Sequence, residues 1–120
     1  MSPRLSDAVF VEQRTYTLYP GKLPEYLRLY EAEGFPVQVP VLGNLVGYYS
    51  VEVGPLNTVI HQWAFDSSAD RDARRAELLA LPAWRAYWAK VQPLVVSQES
   101  RFLKPAPFFR DRLRNMLASA

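Results

Sequence analysis

The sequence predicts an α+β fold of strand–helix–strand–strand–helix–strand order, built on a four-stranded antiparallel sheet. Three observations carry this. Four segments of residues 10–18, 45–53, 58–65 and 95–103 are rich in β-branched and aromatic residues. The stretches between the first and second and between the third and fourth repeat apolar residues at helical spacing. A short Gly54-Pro55-Leu56-Asn57 turn joins the middle two strands, which makes them an antiparallel hairpin. Right-handed crossovers then give spatial order 4-1-3-2, with both helices on one face and strands 1 and 3 central.

Strand 1 is Phe10-Val11-Glu12-Gln13-Arg14-Thr15-Tyr16-Thr17-Leu18, stopped by Pro20-Gly21. The first helix places Leu23, Tyr26, Leu27 and Tyr30 on one stripe, with Pro24 in its first turn and Gly34 at its C-cap. Pro36 and Pro40 limit any following helix to about one turn. Strand 2 alternates Leu45, Tyr49, Val51 and Val53 against Val46, Tyr48 and Glu52. Ser67 is a helix N-cap with Asp70 in the first turn, and that helix is expected to bury Ala69, Ala73, Ala76 and Leu79 or Ala80 while showing Arg71, Asp72, Arg74 and Glu77 to solvent. Pro82 starts another helix with the stripe Trp84, Tyr87, Trp88 and Val91, ended by Pro93. The organisation is a lead over residues 1–9, a domain over 10–109 and a basic tail over 110–120.

The chain has 120 residues, 49% of them hydrophobic, which suits one globular domain. Its pI is 9.0, but Arg110, Arg112 and Arg114 against Asp111 account for the whole net charge of +2. A neutral body with a small basic tail lacks the footprint of a nucleic-acid binder. Charges or prolines break every apolar run, so no membrane partner is expected, and the N-terminus lacks the apolar core of a secretion signal. The absence of cysteine excludes disulfides, thiol catalysis and thiolate metal sites, and a cytoplasmic setting fits it.

Strand alternation puts Val59, His61, Trp63 and Phe65 on one face of strand 3. His61 is the only histidine. It is either a neutral, hydrogen-bonded core residue or a catalytic base, since its ordinary pKa permits proton transfer near neutrality. One histidine without cysteine or a spaced carboxylate does not make a metal site. Glu12-Gln13-Arg14 and Glu99-Ser100-Arg101 lie on neighbouring antiparallel strands, so Glu12 can face Arg101 and Arg14 can face Glu99. This is either a buried salt-bridge ladder or a device in which Arg14 or Arg101 binds an acidic or carbonyl-bearing ligand. Tyr16, Tyr49 and Trp63 are packing residues or ligand stackers. No phosphate loop, dinucleotide fingerprint, nucleophile elbow or paired-carboxylate motif is present, and no cofactor is expected. Both sheet faces read as apolar while helices cover only one, which predicts a homodimer packed sheet against sheet.

Several segments resemble the NIPSNAP family, a branch of the dimeric α/β-barrel (ferredoxin-like) superfamily. They are Glu12-Gln13-Arg14-Thr15-Tyr16-Thr17-Leu18 with Pro20-Gly21-Lys22, Leu42-Gly43 through Gly47-Tyr48-Tyr49, and Gly54-Pro55-Leu56-Asn57 with His61-Gln62-Trp63. Arg74-Arg75 and residues 93–107 add to it, so the resemblance covers about residues 11–109. It implies the barrel dimer and a ligand pocket between sheet and helices. The wider superfamily contains cofactor-free monooxygenases, haem-degrading enzymes, decarboxylases, dehalogenases and polyketide cyclases. Pro40 departs from the expected continuing helix, and the arginine-rich end beyond Phe109 lies outside the resemblance, as a tail or as a docking helix. The leading expectation is a cofactor-free enzyme acting on a small aromatic or polyketide-like molecule, with His61 as base and Arg14 or Tyr16 polarising a carbonyl. The alternatives are a non-catalytic dimeric binding or scaffold protein, and a haem-binding, monooxygenase-like protein with His61 as axial ligand.

Overall fold

The computed structural model describes residues 8–118, with elements in the order β1 (Phe10–Leu18), α1 (Leu23–Leu29), a π-helical turn (Tyr30–Gly34), α2 (Phe35–Leu42), β2 (Asn44–Ser50), β3 (Thr58–Phe65), α3 (Ser68–Ala80), α4 (Pro82–Val91), β4 (Val95–Leu103) and α5 (Pro107–Ala118). The strands form one antiparallel sheet in the order β2-β3-β1-β4, the predicted topology. Most of the 1–9 lead, and the last two residues of the tail, lie outside the described residues. The remainder of the tail belongs to α5, which begins at Pro107 and buries Leu113.

One face of the sheet carries the core. Tyr16 and Leu18 of β1 and Val59, Trp63 and Phe65 of β3 pack against Tyr26, Tyr30, Leu42, Leu78, Trp84, Tyr87 and Val91 from the helical layer. The helix after β1 does not stop at Gly34. It widens into a π turn and continues through Pro40, correcting the expectation of a C-cap and a single further turn. The widened turn spaces the backbone so that Tyr30 and Tyr87 close over Gly34, where a Cβ would lie 2.6 Å from Tyr30 Cδ1 and 2.7 Å from Tyr87 Cζ. Proline is tolerated at Pro36 because it lies in the first turn of α2.

Strand 2 is shorter than predicted and ends at Ser50, and the register between Leu45 and Gly47 slips at a bulge. The bulge brings Leu45 and Tyr48 onto the helix-covered face, opposite Trp63 and His61, and leaves Gly47 and Tyr49 on the open face. Strict alternation had put Leu45 and Tyr49 together. The following loop turns through Gly54 at φ +126° and Asn57 at φ +60°, left-handed positions that these residue types tolerate.

The β1–β4 register also corrects the predicted ladder. Glu12 faces Phe102, Arg14 faces Ser100, Gln13 faces Arg101 and Thr15 faces Glu99. A shift of one residue moves Glu99 and Arg101 to the opposite face from Glu12 and Arg14. Glu12 instead accepts a two-pronged contact from Arg71 of α3, with Nε to Oε1 and Nη2 to Oε2 both at 3.0 Å. Its Oε2 also accepts from Arg14 Nη1 at 3.0 Å and from Ser100 Oγ at 2.5 Å. The inward face of α3 is therefore its arginine face, while Ala69, Ala73 and Ala76 are exposed. Alanines bury little area, whereas Arg71 and Arg74 find charged or carbonyl partners. Arg71 also lies over the Phe102 ring at 5.2 Å, and Arg74 donates to Asp70 at 2.9 Å and to the Val41 carbonyl of α2 at 3.0 Å. The Ser67 cap is as predicted, its Oγ accepting from the Asp70 amide at 3.1 Å.

Glu12 is 1% exposed. Burial alone would raise its pKa, yet the hydrogen bonds from Arg71 and Ser100 and the positive charges of Arg14 and Arg71 bring it down to about 2, from 4.5. The folded value lies below the unfolded one, so this stabilisation is complete above pH 4.5 and is lost as pH falls towards 2. Urea unfolding of Glu12→Gln at neutral pH should show a loss of about 3–5 kcal/mol, because two arginines are left without their anion. The variant should also lack the wild-type decline over that acid interval. A loss below roughly 1 kcal/mol, the scale of an exposed ion pair, would contradict a buried hub.

Candidate functional site

Strand alternation on β1 sends Glu12, Arg14 and Tyr16 to the helix side, and antiparallel pairing sets Arg14 directly opposite His61 on β3. The expected adjacency of Arg14 and His61 is thus present. Arg14 is held from three directions: Nη1 donates to Glu12, Nη2 donates to Gln98 Oε1 at 3.3 Å, and Nε donates to the Tyr16 hydroxyl at 3.4 Å.

Between β1, β4 and the α3–α4 pair lies a cleft of about 220 Å³, lined by Arg14, Tyr16, Arg75, Leu79, Trp84, Trp88 and Gln98. Arg14 and Tyr16 are the two sequence-predicted site residues that reach it. A larger hollow of about 410 Å³ sits at the other end of β1, beneath the start of α5, and shares none of these residues. The cleft is the better site because it joins paired cationic groups to aromatic walls.

His61 lies behind the cleft, 1% exposed. Its ring stacks on Tyr48 at 4.7 Å and meets the Tyr16 edge at 5.0 Å. Trp63 donates its indole N–H to His61 Nδ1 at 2.7 Å. That bond occupies the ring's acceptor nitrogen and leaves the proton on Nε2, which is buried without a partner. Burial, reinforced by the charges of Arg14 and Arg75 and opposed by Glu12, lowers the His61 pKa to about 3. The ring is therefore neutral at physiological pH and offers a donor, not the free lone pair that a base or an axial haem ligand needs. Burial also raises the Tyr26, Tyr30, Tyr48 and Tyr87 hydroxyls above the ordinary phenol range. These phenols stay protonated, with Tyr26 and Tyr48 hydroxyls 2.8 Å apart and Tyr30 donating to Gln38 Oε1 at 2.6 Å.

The other sequence candidates fall elsewhere. Trp63 is a fully buried core residue whose polar atom is spent on His61. Tyr49 and Arg101 are exposed on the opposite face of the sheet, where Arg101 pairs with Glu99 at 2.5 Å. The sequence reading missed Arg75, Trp84, Trp88 and Gln98 as site residues. The signal available was the arginine stripe at 71, 74 and 75, one face of a helix by spacing. Among the described residues no three acidic or imidazole side chains gather into a metal-ligand set.

His61 protonation is directly measurable. Nitrogen NMR of the imidazole should show a neutral ring, protonated at Nε2, that does not titrate between neutrality and roughly pH 5. Its folded value lies below the unfolded 6.5, so protonating it opposes folding as pH falls from 6.5 towards about 3. A midpoint near 6.5 would contradict the buried donor arrangement.

Comparison with known proteins places this geometry in a lineage. The NIPSNAP family profile matches residues 11–110. Protein NipSnap homolog 3A of Homo sapiens is 38% identical over 84 residues, which are 69% of this chain and 33% of that protein. The chain thus spans about a third of that relative's length. Among solved structures, an uncharacterized NIPSNAP-like domain protein from Burkholderia xenovorans superposes with a TM-score of 0.83 at 42% identity, over 86% of this chain and 90% of its own. A protein of Bacteroides thetaiotaomicron, provisionally assigned as an antibiotic biosynthesis monooxygenase, shares the fold alone, with a TM-score of 0.58 at 19% identity over 84% of this chain and 90% of its own. The sequence match over nearly the whole domain and the shared ferredoxin-like architecture agree, and the chain belongs to the NIPSNAP family.

Proposed function

We propose that this protein is a homodimeric α/β-barrel protein that takes a single-ring aromatic molecule into the cleft between sheet and helices. The observation that carries the reading is the meeting of Arg14 and Arg75 with Trp84 and Trp88 around one opening. Indole faces bind a flat apolar body, and guanidinium groups fix a polar substituent. The cleft's 220 Å³ lies below the roughly 300–1,000 Å³ of pockets for drug-sized ligands, which favours one ring over a fused polyketide.

The chemistry this arrangement supports is polarisation. Arg14, steadied by Glu12 and Gln98, and the Tyr16 hydroxyl present donors to an oxygen on which negative charge collects. No described residue lining the cleft is a carboxylate or an imidazole, so binding and charge stabilisation fit better than proton abstraction by a protein base. The same residues serve a purely binding protein, the second reading, which gains weight from the bonds that hold Arg14 to Glu12, Gln98 and Tyr16.

The dimer rests on the open face of the sheet. That face is more polar than expected: Gln62 donates to Gln13 at 2.9 Å and Glu99 pairs with Arg101, beside Val11, Ile60, Tyr49 and Leu103. Exposed Tyr49 and Leu103 in that setting suit a second copy of the chain, whose identical face supplies matching apolar and hydrogen-bonding groups.

Light scattering should give twice the 13.7 kDa chain mass at micromolar concentration; a single-chain mass would contradict the dimer. For the cleft, titration with phenol and acetophenone should shift the Trp84 and Trp88 indole resonances, and Trp88→Ala should weaken that binding several-fold. Shifts confined to other tryptophans, or unchanged affinity in the variant, would move the site elsewhere.

A further inference from the structure

The charges around the cleft do not balance. Arg14 and Arg71 share Glu12, Arg71 also takes Asp72, and Arg74 takes Asp70. Among the described residues Arg75 finds no side-chain hydrogen-bond or ion-pair partner, yet it is half-buried and lines the cleft beside Arg14. Burial and the nearby Arg14 charge both disfavour its charged form, and a guanidinium cannot relieve this by losing its proton. No described residue takes any of its five N–H donors, which lie in the planar fork that matches a carboxylate. Arg14 retains spare N–H groups on Nη1 and Nη2 beyond its bonds to Glu12 and Gln98. An anion entering here would compensate Arg75 and relieve its repulsion with Arg14. The indole walls and small volume exclude a bulky polyanion in favour of a flat, singly charged molecule.

We propose that the cleft is a carboxylate site, in which Arg75 and Arg14 hold the acid group of a small aromatic acid whose ring lies against Trp84 and Trp88. This deepens the aromatic-ligand reading and rests on it. Arg75 is the specificity-determining residue: it selects the acid over neutral molecules of the same shape.

The test compares benzoate, benzamide and inorganic phosphate by calorimetry, with the Trp84 and Trp88 indole signals followed by NMR. Benzoate should bind the wild type at least tenfold more tightly than benzamide, and its affinity should fall with added salt. Arg75→Gln should remove most of that preference, weakening benzoate binding far more than benzamide binding, and Arg75→Lys should keep part of it, because charge survives without the fork. Without ligand, Arg75→Gln should be at least as stable as the wild type, since it removes a repulsion and breaks no bond. Benzamide binding as tightly as benzoate would overturn the carboxylate assignment and leave the aromatic site standing. Phosphate binding as tightly as benzoate would overturn the aromatic-acid assignment. A destabilised Arg75→Gln would show that Arg75 has a structural partner, against the proposal. Failure of every ring compound to shift Trp84 or Trp88 would remove the aromatic reading as well.

Discussion

The buried carboxylate of Glu12 ties the helical layer to the sheet and sets how the arginines around the cleft are paired. It lies on the central strand, so its partners come from both sides of the architecture: Arg71 from α3, Arg14 from its own strand and Ser100 from β4. A carboxylate in such a place is tolerable only when its lone pairs are filled by charged donors, and here they are. The same contacts turn the arginine face of α3 towards the sheet and bring Arg75 to the cleft wall. Glu12 neutralises Arg14 and Arg71 jointly, so among the described residues lining the cleft Arg75 is left without a counter-charge. The geometry of the site follows from that distribution.

His61 shows how a buried polar residue can be misread from composition alone. An isolated histidine on a central strand suggests a base, but the neighbour two residues along determines its state. Trp63 shares its face and supplies the one strong donor within reach of Nδ1. The ring's remaining polar atom, Nε2–H, is then a donor facing an aromatic enclosure. Its ring packs between Tyr48 on one side and the edge of Tyr16 on the other, and it stays behind the cleft that Tyr16 and Arg14 line.

The topology, the His61–Arg14 adjacency and the Ser67 cap were legible because each depends on local period or turn chemistry. Glu99 and Arg101 were misplaced because period-two patterning cannot fix register, and one residue of slip inverts every face. The bulge that moves Tyr49 away from Leu45 left no mark beyond Gly47. The face of α3 was misread because hydrophobicity favoured alanines, whereas long arginine stems cover more surface and find partners at Glu12 and the α2 carboxyl end. Pro40 suggested a break, but α2 runs on through it to Leu42 and is stopped at Gly43. Arg75 escaped notice because its significance lies in the partner it lacks, which only the folded charge arrangement reveals.

The measurement closest to the centre of this account is a carbon-detected NMR titration of the Glu12 carboxyl group. If Arg71, Arg14 and Ser100 hold it as described, its midpoint lies at about 2. A midpoint near the ordinary 4.5 would mean the carboxylate is solvated or unpaired, and the charge distribution that leaves Arg75 free in the cleft would no longer follow.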